Sequence, residues 1–198
     1  MEEMLEVYCR NTDTKLLVRS GMDMLGVADF AGMKNTENIL GVCVNNKVQN
    51  LNYRIYSPKT VEFLDINTTN GRRMYAFSLM FMLYRAVKEL YPESELYIQH
   101  SMSDGYFCEI NNLEESMPQV IGKLKERMCR MVEENIPFLR KIVPVAEAAE
   151  LFERLGMKEK AELIRNSNRL YANVDLLGEV VNMFFFELVP STAYLKVF

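Results

Sequence analysis

GRRMYAFSLMFMLYRAVKELYPESELYIQHSMSDGYFCE, Gly71–Glu109, is the stretch that decides the fold. Met74–Tyr84 carries no charge. Leu79, Met80, Leu83, Val87 and Leu90 recur at helical spacing until Pro92 stops the pattern. The spacing predicts a buried helix, followed by two short strands, Leu96–His100 and Gly105–Glu109. The uncharged run falls well short of the roughly 20 residues that a bilayer requires, and Arg85 and Lys88 follow it. It reads as a domain core. No membrane partner is expected, and a cytoplasmic location is.

Toward the N-terminus, residues 1–66 read as a small strand-rich unit. Leu5–Arg10 and Lys15–Arg19 alternate as strands about an Asn11–Asp13 turn. Met22–Phe30 is a short helix. Ile39–Val44 and Lys47–Leu51 flank Asn45–Asn46, and Thr60–Leu64 closes the unit. That order suits a β-grasp fold. Asn67–Arg73 (NTTNGRR) reads as a polar linker, which sets the domains at 1–66 and 67–198. Arg72 and Arg73 could hold a phosphate or simply open the next helix.

Toward the C-terminus, Ser116 with Pro118 and Gln119 is a helix-start signal. Val120, Ile121, Leu124, Met128, Met131 and Val132 form its apolar stripe. Leu139–Val143 reads as a strand. Ala146–Leu155 and Lys158–Arg165 read as helices, with Gly156 closing the first. Asn173–Leu177 and Phe184–Val189 read as strands, and Tyr194–Phe198 is strand-like. The class is α+β.

With 49% hydrophobic and 25% charged residues, the 198-residue chain has the composition of a globular protein with a sizeable core. The net charge is -4, and neither half is basic. This argues against strong non-specific nucleic-acid binding. Cys9, Cys43, Cys108 and Cys129 form no CxxC pair and read as reduced, buried thiols. His100 is the single histidine, so a His-rich metal site is nearly excluded. The one Gly-Lys pair, Gly122–Lys123, precedes Leu124 inside a helical pattern and cannot be a phosphate-binding loop. Asp104 and Glu109 could act as acid or base groups. The favoured reading is a turn aspartate and a strand-end carboxylate.

AVKELYP (Ala86–Pro92), YIQHSMSDGYFCEI (Tyr97–Ile110) and EAAELFERLGMKEKAELI (Glu147–Ile164) resemble the second N-terminal domain of threonyl-tRNA synthetases. LGVCVNNKVQNLNYRI (Leu40–Ile55) resembles the TGS domain that precedes it, with Asn46 where the turn usually carries glycine. FFFELVPSTAYLKVF (Phe184–Phe198) is closer to the front half of a bacterial uridine (nucleoside) kinase family. There the same pair of domains precedes a P-loop kinase. The resemblance implies a β-grasp domain followed by an editing-domain-like α+β domain with an antiparallel sheet. It further implies a non-catalytic accessory region whose kinase domain is missing from this chain. That C-terminal kinase domain would be the partner, and ATP and Mg would belong to it alone. A homo-oligomer stays open, and RNA is not favoured. The alternatives are a tRNA-binding or aminoacyl-tRNA editing-type domain and a free-standing nucleotide- or protein-binding module.

The synthetase domain edits with two histidines four residues apart on its first helix, and a cysteine and a histidine four apart near its end. Alignment on AVKELYP and VPST places Phe77 and Phe81 at the first pair, and Phe184 and Leu188 at the second. The resemblance therefore implies an apolar, filled site, with no aminoacyl-ester hydrolysis and no zinc. A ligand would be sought near Tyr75, Tyr84, Asp104, Tyr106 and Glu109, although tyrosines at such positions also serve as core or rim.

Overall fold

Strands β1 (Met4–Cys9) and β2 (Thr14–Arg19) pair antiparallel in the computed structural model, which describes residues 3–103 and 105–198. Leu5, Val7 and Cys9 alternate inward, as a half-buried strand requires. Helix α1 (Met24–Phe30) follows, its first turn held by the Asp23 carboxylate, which accepts from the Gly26 N–H at 2.9 Å. Then come β3 (Gly41–Val44), β4 (Lys47–Gln49) and β5 (Lys59–Leu64). The sheet order is β2-β1-β5-β3-β4, with β1 and β5 parallel and the other pairs antiparallel. This is the β-grasp arrangement. Val7, Val18, Val27, Val42, Ile55 and Val61 are among its core. The β3–β4 turn uses Asn45 and Asn46, both left-handed (φ 45° and 65°), so asparagine does here what glycine usually does.

Helix α2 (Thr69–Leu90) begins inside the segment read as a linker. Thr68 caps it, its hydroxyl accepting from the Gly71 N–H at 3.0 Å and donating to the Asp65 carbonyl at 2.8 Å. Arg72 and Arg73 are exposed residues of the first turns, and Arg72 donates to the Asn67 carbonyl. The buried face also differs from the expected one. It is Gly71, Met74, Ser78, Phe81, Met82, Ala86 and Val87, whereas Leu79, Met80 and Leu83 are half-buried and Leu90 is exposed. The helix is apolar nearly all round, so periodicity alone does not fix its inner side. The small residues Gly71, Ser78 and Ala86 do, because they allow close packing.

β6 (Glu95–Met102) and β7 (Gly105–Asn111) form an antiparallel two-stranded ribbon with a register irregularity between Ile98 and Ser101. Helix α3 (Met117–Glu134) carries the expected Ser116–Gln119 capping box and ends at a left-handed Asn135. It packs against α2. Val120, Leu124, Met128 and Met131 are buried, but Ile121 is exposed and Val132 only half-buried. The stripe is narrower than expected. The segment Phe186–Phe198 belongs with these elements in one compact unit, Met1–Ile136 with Phe186–Phe198. Its Thr192–Tyr194 turn is 3-10 helical, and the residues after it, read as strand-like, are irregular.

Pro137–Phe185 is a second compact unit. It holds β8 (Phe138–Pro144), α4 (Val145–Arg154), α5 (Lys158–Arg165), β9 (Tyr171–Leu177) and β10 (Val180–Asn182). The sheet is antiparallel in the order β10-β9-β8. Ala148, Ala149, Phe152, Ala161, Ile164 and Val174 form its core. The whole is α+β, as expected, with antiparallel sheets in the region after the β-grasp. The predicted strand over Phe184–Val189 is absent; β10 lies earlier and the stretch is irregular. The Phe184 N–H donates to the Asp175 carboxylate and its carbonyl accepts from Arg140, so side chains take the place of a ladder. Of the cysteines, Cys9 is buried and Cys43 half-buried, but Cys108 and Cys129 are exposed, contrary to the buried-thiol reading. Among the described residues, no helix is long and apolar enough to cross a membrane.

Candidate functional site

The face of α2 that carries Phe77 and Phe81 is held to the Phe186–Thr192 segment. The Ser78 hydroxyl donates to the Met74 carbonyl at 2.7 Å and accepts from the Val189 N–H at 2.9 Å. Both ends of this bridge are buried. Phe81 is fully buried, Leu188 is buried, and the Phe77 ring lies 6.1 Å from that of Phe186 at a 38° tilt. The Pro190–Thr192 turn is clamped to the end of α3. The Ile136 N–H donates to the Thr192 hydroxyl at 2.8 Å, the Thr192 N–H donates to the Ile136 carbonyl at 2.9 Å, and the Thr192 hydroxyl donates to the Met131 carbonyl. Ser191 reaches the Asn135 side chain at 2.5 Å. Phe77, Phe81 and Leu188 carry no ionisable group, and Phe81 and Leu188 are buried. Phe184 lies in the second unit, where Arg140 and Asp175 hold its backbone.

The residues read as a possible ligand site fall on several elements. Tyr75 and Tyr84 are nine residues apart on α2, two and a half turns, so they leave opposite sides of the helix. The Tyr75 hydroxyl pairs with the Val197 backbone, accepting from its N–H and donating to its carbonyl at 2.9 Å each. Burial pushes the Tyr84 phenol above its ordinary range. Tyr106 and Glu109 sit on β7, both exposed, and Glu109 accepts from Gln99 at 2.8 Å. Asp104 lies outside the described residues. His100 stacks on Phe107, centroids 5.5 Å apart. No group of three or more His, Cys, Asp or Glu could hold a metal ion among the described residues.

Two polar arrangements of the second unit went unread in the sequence. Asp175 is buried, and its carboxylate accepts from Arg140 Nε at 2.7 Å and from the Phe184 N–H at 2.8 Å. Arg140 and Asp175 stand directly opposite in the β8–β9 ladder. Charges within two largely apolar strands, Arg140 beside Lys141 in one and Asp175 in the other, were the available signal. Lys160 on α5 lies 2.5 Å from the Asn182 carbonyl oxygen, and burial pulls its ammonium below the usual lysine range. At the end of α5 and the start of β9 a cavity of about 330 Å³ opens, bordered by Arg169, Tyr171 and Phe185.

The chain is similar to threonine–tRNA ligases. It is 30% identical to that of Desulforamulus reducens over 144 residues, 73% of this chain and 23% of the relative. It is 27% identical to that of Syntrophomonas wolfei over 177 residues, 89% of this chain and 28% of the relative. For Clostridium kluyveri the identity is 26% over 163 residues, 82% and 25%. The chain thus spans about a quarter of the length of these curated relatives. No protein-family model matches it. The synthetase part of the resemblance is supported, and none of these three relatives is named as a kinase.

Proposed function

We propose that this chain is a region related to the front of threonyl-tRNA synthetases, which engages tRNA but does not hydrolyse its aminoacyl ester. The similarity to threonine–tRNA ligases over most of the chain carries the reading. The division at residues 66 and 67 belongs to the same proposal. Ester hydrolysis needs a positioned base or a metal-bound water. Phe77, Phe81 and Leu188 offer neither, and the buried Phe81 and Leu188 leave water little access. The test is tRNA binding across a salt series, with an aminoacyl-tRNA hydrolysis assay on the same preparation. Saturable binding that weakens with salt, with hydrolysis at the buffer rate, is the expected result. Hydrolysis well above that rate, or no binding at low salt, overturns it.

A second reading keeps the region as the front of a uridine-kinase-like protein, because the Phe184–Phe198 segment with its VPST turn fits that family more closely. ATP, Mg and the kinase partner would then belong to a further domain. Sequencing of the native reading frame into a Gly-rich Gly-Lys-Ser/Thr segment would favour it.

A further inference from the structure

The cavity at the end of α5 differs in chemistry from the α2 face. Its border is mostly apolar and aromatic: Tyr171 and Phe185 are both exposed, with Met183 beside them. Exposed aromatic rings lose hydrophobic stabilisation that burial would provide, so two at one cavity call for a reason. The polar residues of the border are two amides, a cation and the Ser167 hydroxyl. Asn166 and Asn173 offer paired donors and acceptors, and Arg169 is the one charged residue lining the cavity. Among the described residues, no side chain hydrogen-bonds or ion-pairs with the Arg169 guanidinium or with either amide. At about 330 Å³ the space lies at the small end of the range for small-molecule sites.

We propose that this cavity binds a nucleotide. The base would stack on Phe185 or Tyr171, the amides of Asn166 and Asn173 would meet its polar edge, and Arg169 would take the phosphate. Aromatic rings stack any base through its π-face, and a planar guanidinium suits phosphate bidentately. A cation without a competing carboxylate on the border favours an anionic ligand over a neutral or cationic one. The same chemistry fits a free mononucleotide and an unpaired nucleotide of an RNA strand. The site lies wholly within Pro137–Phe185 and does not rest on the tRNA reading, since a mononucleotide tests it directly.

The experiment is a calorimetric titration of the full chain with AMP, with adenosine, and with a short single-stranded oligoadenylate. Phe185→Ala and Arg169→Gln are titrated alongside. Both positions are exposed, so both variants should fold, and circular dichroism checks that they do. Saturable AMP binding is expected. Phe185→Ala should weaken it roughly ten-fold, in line with loss of one base–aromatic stack. Arg169→Gln should abolish the preference for AMP over adenosine. Equal affinity for AMP and the oligonucleotide would assign a free nucleotide, and tighter binding of the oligonucleotide would assign an RNA strand. Absence of saturable binding by either ligand overturns the proposal, as does binding indifferent to both substitutions. A chain that binds AMP here but fails to bind tRNA would sink the proposed function and leave this site standing.

Discussion

Phe81 and Phe185 show two treatments of the same side chain. Phe81, on α2, is 0% exposed, whereas Phe185, beyond β10, is 74% exposed. The α2 face is closed by packing and by neutral hydrogen bonds through Ser78 and Thr192. The second unit is open at the end of α5 and holds a buried ion pair between β8 and β9. A filled face is maintained by volume. A face kept open must be maintained by polar groups that hold the backbone in place without occupying the space.

The largest effect should come from the ion pair. Asp175→Ala removes the carboxylate that the mostly buried Arg140 and the Phe184 N–H both donate to. A loss of about 3–5 kcal/mol is expected in chemical denaturation. A loss below about 1 kcal/mol would mean that the second unit does not depend on the pair. Next comes the direct contrast of the two rings. Phe81→Ala should cost about 3–4 kcal/mol through cavity formation, whereas Phe185→Ala should stay within about 0.5 kcal/mol. Equal costs would abolish the distinction between the faces. Ser78→Ala should cost about 1–3 kcal/mol, because the buried Val189 N–H loses its acceptor.

A smaller loss than at Ser78 should come from a pH-dependent contact on the closed side. Glu89 bridges α2 and α3, accepting from Arg85 Nε at 2.6 Å and from Arg127 Nε at 2.5 Å. Burial pushes its carboxyl up, but the two arginine hydrogen bonds outweigh burial and hold it below the usual range. Its contribution is therefore present above the unfolded-state pKa, about 4.3, and is lost as pH falls through the lower folded value. Glu89→Gln should lower stability by about 1 kcal/mol at neutral pH and flatten the acid limb of the stability profile below about pH 4. An unchanged acid limb would show that other carboxylates govern it.

The β-grasp order was legible because its strands alternate and its turns carry Asn and Asp. Helices α3, α4 and α5 were legible from stripes, from Gly156 and from the Ser116 box. The inner side of α2 was not, since Met74–Tyr84 is apolar around its whole circumference and offers no wet side to subtract. Phe184–Val189 misled for a similar reason. Its aromatic run satisfies a strand propensity, but its backbone groups meet side chains instead of a strand: Asp175 and Arg140 at Phe184, and Ser78 at Val189. The candidate site was half legible. A resemblance pointed to Phe77, Phe81, Phe184 and Leu188, of which Phe184 falls in the other unit, but no pattern announced that Arg169, Tyr171 and Phe185 border one cavity, because each is exposed and each looks ordinary in its own loop or strand.

Gly71 carries a last consequence. A Cβ built there would stand 1.8 Å from the Asp65 carbonyl oxygen, a backbone atom that cannot step aside. The chain leaves β5 and enters α2 at a spacing that hydrogen alone fits. In a saturation library covering residues 60–90, position 71 should be the one where even alanine is purged, while its neighbours Arg72 and Arg73 drift freely. The joint between the sheet and its longest helix is then a fixed elbow, and any homologue that replaces this glycine must also have rebuilt the turn at Asp65–Thr68.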